Sequence, residues 1–223
     1  MRYSRQDKIS QLPTNFSQTI HKKNLIIVGC GGIGSPLSEL LIRGGFLNLT
    51  IIDTDTIDET NLQRQTYTEQ DINTKKTKAL KKRLNAIDKK SNIKIINEKL
   101  TKTNINQICK NSDLILDCTD NFETRIIINN YCEKNKKNWI YSGAIKTEII
   151  SCLFIGEKQL FKKIFPKPIK NTSCSEVGVL ASTTFASASL TYNQILKYFI
   201  GQTESTLIKL NLWTNQIFNI KLN

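Results

Sequence analysis

Asn24-Leu25-Ile26-Ile27-Val28-Gly29-Cys30-Gly31-Gly32-Ile33-Gly34-Ser35-Pro36 is the stretch that decides the fold. Asn24–Cys30 opens as a short apolar run rich in branched side chains, which reads as a buried strand. Glycines come next, and from Ser35 to Gly44 the residues Leu37, Leu40 and Leu41 fall at helical spacing. Gly29, Gly31 and Gly34 therefore spell G-x-G-x-x-G at a strand-to-helix turn. Such glycines permit a tight turn and let a phosphate approach the backbone at a helix N-terminus. A second apolar run, Asn48–Asp53, ends on a carboxylate nineteen residues beyond Gly34, placed to hold ribose hydroxyls. The context points to a nucleotide site.

Working outward, the alternation of strand and helix continues. Thr74–Ile87 reads as a basic helix with Ala79, Leu80 and Leu84 on one face. Ile93–Ile96 is a strand, Asn104–Lys110 a short helix, and Asp113–Asp117 a strand. Asn121–Lys134 is a helix and Trp139–Ser142 a fifth strand. This order predicts a Rossmann-like, doubly wound, mostly parallel α/β sheet. Beyond Glu148 the pattern changes. Ile149–Ile155 is strand-like, Gly156–Ser173 reads as a polar loop, and Val179–Ile200 as a helix of small residues. Thr206–Trp213 and Gln216–Leu222 read as a hairpin, giving an antiparallel C-terminal extension. A single domain over 1–223 is expected, with 1–148 as a nucleotide-binding half and 149–223 as a second half of different pattern.

Composition narrows the function classes. With 223 residues and 39% hydrophobic content, the chain is long enough to bury a core without disulfides or metal. No apolar run reaches membrane-spanning length, and nothing at the N-terminus resembles a secretory signal, so a cytoplasmic protein without membrane contact is expected. The net charge of +13 would suit nucleic acid, but the cations are 26 Lys and only 6 Arg, scattered rather than interleaved with aromatics. Generic surface charge is the better reading, and no nucleic-acid partner is expected. With one histidine, His21, catalysis by Ser-His-Asp, Cys-His or a multi-His metal centre is set aside. The six cysteines contain no Cys-x-x-Cys pair.

The residues beyond Asp53 indicate which nucleotide is bound. Asn61-Leu62-Gln63-Arg64-Gln65 and then Lys76 add cations that suit a triphosphate better than the pyrophosphate of NAD. Asp117-Cys118-Thr119-Asp120-Asn121 comes after the fourth strand, at the sheet edge where ligands of such folds bind. Asp120 there could be a ligand for Mg²⁺ on the phosphates, the N-cap of the next helix, or both at once. Arg125 could orient this acidic loop or pair with a neighbouring carboxylate. Arg43 and Arg83 read as surface residues.

Taken together, these residues resemble the ThiF/MoeB/HesA group of ubiquitin-like-protein-activating enzymes. The matching pieces are Arg2–Gln6, Val28–Pro36, Asp53-Thr54-Asp55, Asn61–Gln65, Asp117–Asn121 and Cys174–Val179, in the family's order and along almost the whole chain. The resemblance implies adenylation of the C-terminal Gly-Gly carboxylate of a small ubiquitin-like sulfur carrier, in thiamin, molybdopterin or related sulfur chemistry. It implies ATP and Mg²⁺, with Gly29, Gly31, Gly32, Gly34 and Asn121 framing the nucleotide. Gly32 would contact phosphate, Asp53 the ribose, and Asn61, Arg64 and Lys76 the triphosphate. Asp120 would be the metal ligand. Arg5 would reach the site of a neighbouring subunit, which implies a homodimer, and Cys174 would act in sulfur transfer or in covalent capture of the carrier, with a sulfurtransferase as a further partner.

Lys76 is chosen over Lys75 and Lys78 because Asp71-Ile72-Asn73-Thr74-Lys75-Lys76 aligns with the family's Asp-Ile-Gly-x-x-Lys. The chain departs from the family where zinc-binding Cys-x-x-Cys pairs are usual, so structural zinc is expected to be absent. Glu148-Ile149-Ile150 also stands where Glu-Gly-Gln is usual. Two other readings share the glycine turn: a NAD-dependent oxidoreductase, which the added cations oppose, and a relative that binds the carrier without catalysis.

Overall fold

The computed structural model describes residues 2–158, 160–166 and 177–222. Its strands are β1 (Asn24–Val28), β2 (Asn48–Ile52), β3 (Asn92–Ile96), β4 (Leu114–Asp117), β5 (Trp139–Ile145), β6 (Glu148–Phe154), β7 (Thr206–Asn211) and β8 (Gln216–Lys221). They form one sheet in the order β3-β2-β1-β4-β5-β6-β7-β8. The first five run parallel, and β6, β7 and β8 are added antiparallel. The expected architecture is therefore present, and the strand order reverses between β1 and β4, where ligands of such sheets bind.

The helices are α1 (Phe16–Ile20), α2 (Gly34–Gly44), α3 (Lys76–Ile87), α4 (Ile105–Cys109), α5 (Phe122–Asn135), α6 (Leu160–Ile164) and α7 (Ala181–Phe199). They divide the core into two layers. Leu25 and Ile27 of β1 face the layer that holds Leu37, Leu41, Leu80, Leu84 and Ile195. Ile26 and Val28 face the other, with Ile105, Phe122, Ile128 and Trp139. Apolar residues on both faces of one strand are what a doubly covered parallel strand requires. Each Leu or Ile buried in this way contributes about 1.5–3 kcal/mol.

The sequence suggests a polar loop over Gly156–Ser173, and the structure corrects this. Leu160–Ile164 is helical, and Leu160 and Phe161 are buried. Phe161 packs on Trp139, Phe154, Phe122 and Phe165. Leu160, Phe161, Ile164 and Phe165 keep a helical period, which the intervening lysines and nearby prolines conceal. Residues 167–176 lie outside the described residues.

The C-terminal extension behaves differently on its two sides. Facing α7, Ser142 Oγ lies 2.8 Å from Thr191 Oγ1, and Ser151 Oγ donates to Gln194 at 2.8 Å. These bonds satisfy hydroxyls that are buried in the layer. At the outer edge, by contrast, all six residues of β8 are exposed. Trp213, Ile217, Phe218 and Ile220 all present apolar surface there.

The lone histidine, His21, is packed within the fold. It caps the C-terminus of α1, its ring lies 5.2 Å from that of Tyr3, and its carbonyl accepts a hydrogen bond from Asn48. Arg43 and Arg83 both pair with Glu39 at the surface. Among the described residues, no helix is long and apolar enough to cross a membrane.

Candidate active site

A cavity of about 640 Å³ opens where the sheet order reverses and continues across β5, β6 and β7. Gly29, Gly31, Gly32, Asp53, Arg64, Lys76, Asp120 and Asn121 line one part of it. Tyr141, Gly143, Ile145, Glu148, Ile150 and Lys209 line the remainder. The first part holds charges of both signs at the sheet edge. The second is a trough over a sheet floor with mixed apolar and charged walls.

The glycine turn is shaped by its neighbours. Gly29 has φ +92°, which favours glycine, and a Cβ there would approach the Cys118 carbonyl oxygen to 2.8 Å. A Cβ on Gly34 would collide with the Gly29 carbonyl, and one on Gly32 would lie 2.8 Å from Thr184 Cγ2. Gly31 alone of the four faces open space, with its nearest prospective neighbour, Gln65 Nε2, at 3.9 Å. Gly34 itself does not line the cavity; it starts α2 and lets the helix close against the turn.

Asp53 is both a brace and a wall. Its Oδ2 accepts the Cys30 amide at 2.6 Å and its Oδ1 accepts the Asp55 amide at 2.8 Å. Lys76 is 8% exposed at its side chain, and its ammonium pairs with Asp55 at 2.7 Å. The Lys76 amide also donates to the Asp55 carbonyl, at 3.0 Å. The lysine is thereby held inside the cavity wall, and Asp55, two residues after Asp53, is a member of the site that sequence reasoning gave no role. Arg64 Nη1 donates to the Thr60 carbonyl at 2.8 Å. The Arg64 carbonyl accepts from Thr184 Oγ1 at 3.2 Å, so α7 fixes the arginine's backbone.

Asn61 does not line the cavity. It completes a capping box, accepting the Asp58 amide at 3.3 Å while Asp58 accepts the Thr60 amide at 2.9 Å. Arg5 is exposed before the short turn Gln6–Lys8 and lies off the cavity. Cys174 lies outside the described residues.

After β4, the N-cap of α5 is Asn121 rather than Asp120: Asn121 Oδ1 accepts the Thr124 amide at 2.8 Å. Asp120 is exposed and lines the cavity. Asp117 is fully buried beneath it, accepting Thr119 N at 3.0 Å, Thr119 Oγ1 at 2.7 Å and Arg125 Nε at 3.2 Å. Burial pushes the Asp117 carboxyl above the usual aspartate range, and Arg125 and Thr119 counter only part of that. Arg125 does both things the sequence allowed, pairing with Asp117 and donating to the Thr119 carbonyl at 2.5 Å. Burial also pushes the Cys30 and Cys118 thiols well above their ordinary values, so these are neutral packing groups and not nucleophiles.

The residues present fit a magnesium–nucleotide complex. Mg²⁺ is ordinarily held by one or two carboxylates together with substrate phosphates. Asp120 supplies an exposed carboxylate, and Asp53 and Asp55 line the same cavity. No cluster of three or more His, Cys, Asp or Glu side chains among the described residues forms an all-protein cage.

A family model described as the ThiF family matches residues 3–223. The chain belongs to the ThiF family. The molybdopterin-synthase adenylyltransferase of Haemophilus influenzae is 33% identical over 187 residues, covering 81% of this chain and 76% of that protein. The sulfur carrier protein ThiS adenylyltransferase of Bacillus subtilis is 27% identical over 221 residues. That match covers 96% of this ThiF-family chain, which spans 66% of the relative's length. Among solved structures, E. coli MccB superposes with a TM-score of 0.85 at 20% identity, over 99% of this chain and 69% of that one. At that identity the likeness concerns the fold alone. It takes in the antiparallel strands as well as the parallel ones.

Proposed function

We infer that this ThiF-family chain catalyses ATP-dependent adenylation of the C-terminal Gly-Gly carboxylate of a small ubiquitin-like sulfur-carrier protein. The observation that carries this reading is one continuous cavity. Gly31, Gly32, Asp53, Arg64, Lys76 and Asp120 meet at its nucleotide end, and a trough over β5–β7 leads into it. The names of the Bacillus and Haemophilus relatives support it. Residues 1–148 serve as the nucleotide half and 149–223 as the half that receives the carrier and a second subunit.

The reaction needs no general base. The carrier carboxylate is ionised at neutral pH, so one of its oxygens attacks the α-phosphorus directly. The bond from that phosphorus to the oxygen bridging to the β-phosphate breaks, and pyrophosphate leaves with the electron pair. Catalysis is then positioning and neutralisation of charge. Asp53 holds the ribose, Gly31 and Gly32 leave room for the phosphates, and Lys76 and Arg64 offset their charge. Asp120 would hold Mg²⁺, which would supply further neutralisation of phosphate charge. Arg5, exposed and off its own cavity, is assigned to the phosphates of a partner subunit's site. Cys174 is assigned to a later sulfur-transfer step with a sulfurtransferase, in the reducing cytosol.

The test is ATP–pyrophosphate exchange with purified protein and a panel of Gly-Gly-ending carriers, with and without Mg²⁺. Exchange should depend on both carrier and metal. Arg64→Ala and Asp120→Ala should each lose it by a factor of about 100 or more while remaining folded. Failure of the wild-type protein to bind ATP would overturn the reading.

A further inference from the structure

The loop after β4 is tied down more firmly than its exposure suggests. Asp117, at the end of the strand, accepts both the amide and the hydroxyl of Thr119. Arg125, in the first turn of α5, donates to Asp117 through Nε and to the Thr119 carbonyl through Nη2. That carbonyl belongs to the peptide joining Thr119 to Asp120. The guanidinium carbon also lies over the ring of Tyr141 of β5, 4.7 Å from its centre, as a cation–π contact. One side chain thus links the end of β4, the peptide before Asp120 and the floor of the cavity.

A buried ion pair of this kind is an inefficient source of stability, because desolvation offsets much of the attraction. Its geometry accounts for the choice of residue. A lysine ammonium would supply the charge, but only the planar guanidinium fork can hold Asp117 and the Thr119 carbonyl together while its centre lies over the Tyr141 ring. This chain carries 26 Lys and 6 Arg, and it places one of those arginines here.

We propose that Arg125 is a positioning residue for adenylation, clamping the Thr119–Asp120 peptide so that the Asp120 carboxylate is fixed at the mouth of the cavity. The proposal rests on the adenylation reading and extends it to a residue that need not touch the nucleotide. Groups that orient a metal-binding carboxylate typically alter metal affinity 10–100-fold when removed. The clamp therefore governs the metal-dependent part of nucleotide binding and leaves the metal-free part almost untouched.

Calorimetric titration of ATP with Mg²⁺ and with a chelator tests this on the wild-type chain, Arg125→Lys and the double variant Asp117→Asn/Arg125→Met. The double variant leaves no buried charge unpaired, so its thermal midpoint separates folding from positioning. Both variants should lose about 10–100-fold of the Mg²⁺-dependent gain in ATP affinity. Metal-free ATP affinity should change by less than about threefold, even in the double variant with its midpoint near wild type. If either folded variant keeps the wild-type Mg²⁺ gain, the clamp is overturned. If metal-free and metal-dependent affinity fall by the same factor, the role is structural and the proposal likewise fails. A wild-type chain that binds no MgATP would sink the adenylation reading itself, and this inference with it.

Discussion

Two turns lie side by side at the cavity, at the ends of the paired strands β1 and β4, and they are built on opposite principles. The turn after β1, Gly29–Gly34, takes its shape from missing side chains. Gly29 adopts a left-handed conformation, Gly34 leaves room for the Gly29 carbonyl, and Gly32 leaves room for Thr184. The turn after β4, Asp117–Asn121, is shaped by polar groups, with a buried carboxylate and a guanidinium gripping its backbone. The first is a steric device and the second an electrostatic one. A steric turn is broken by adding a single methyl group. A polar turn is loosened by removing a single oxygen or nitrogen.

The largest effect should come from Gly34→Ala. Its new methyl would meet a backbone carbonyl, which cannot move as a side-chain tip can. Overpacking of this kind should cost about 3 kcal/mol. The melting temperature should then fall by roughly 6–12 °C. A melting temperature within a degree or two of wild type would mean that the turn is far softer than its packing implies.

Gly31→Ala sharpens the same comparison with an intermediate effect. Its methyl meets no protein atom closely, so the fold should stay within about 1 kcal/mol of wild type. The methyl would stand in the cavity, however, and ATP affinity should drop about tenfold, equivalent to about 1.4 kcal/mol. Undiminished ATP binding would show that phosphate does not approach this glycine.

The polar turn should give the smallest response. Thr119→Val keeps the shape of the side chain and removes the hydroxyl that donates to Asp117 at 2.7 Å. Asp117 retains the Thr119 amide and Arg125, so the cost should be near 1 kcal/mol, or about 2–4 °C. A loss as large as that of Gly34→Ala would erase the distinction between the two turns.

Legibility in the sequence divides along the same line. The steric turn is open to reading because glycine spacing, a strand before it and a helix after it are all local signals. The parallel sheet and its antiparallel extension are readable for the same reason, through alternation of short apolar runs. Asp53 also falls where spacing puts it, on the cavity wall, and Lys76, picked out of three neighbouring lysines by the family resemblance, lines the same wall. The remainder depends on contacts between residues distant in the chain. The fit of Thr184 against Gly32 spans about 150 residues, and no spacing rule encodes it. The family resemblance gives Asn61 to the triphosphate, and its further part in a capping box, through Oδ1, shows only in the fold. Helix α6 is hidden because its apolar face is only five residues long and lies among lysines. Arg125 can be named from sequence, but its choice between orienting the loop and pairing with a carboxylate cannot; in the fold it does both.

The exposed outer strand β8 has a consequence for how copies of this chain behave in solution. Its backbone edge is unpaired by any further strand of the described sheet, and Trp213, Ile217, Phe218 and Ile220 present apolar surface around it. Such an edge is a template for sticking to another copy. The net charge of +13 opposes that, because like-charged molecules repel before their edges can meet. Salt shortens the reach of this repulsion to about 8 Å at physiological ionic strength and about 3 Å at 1 M. The lysine excess that carries no information about the nucleotide site thus acts as a colloidal stabiliser, and its protection weakens as the buffer becomes more concentrated.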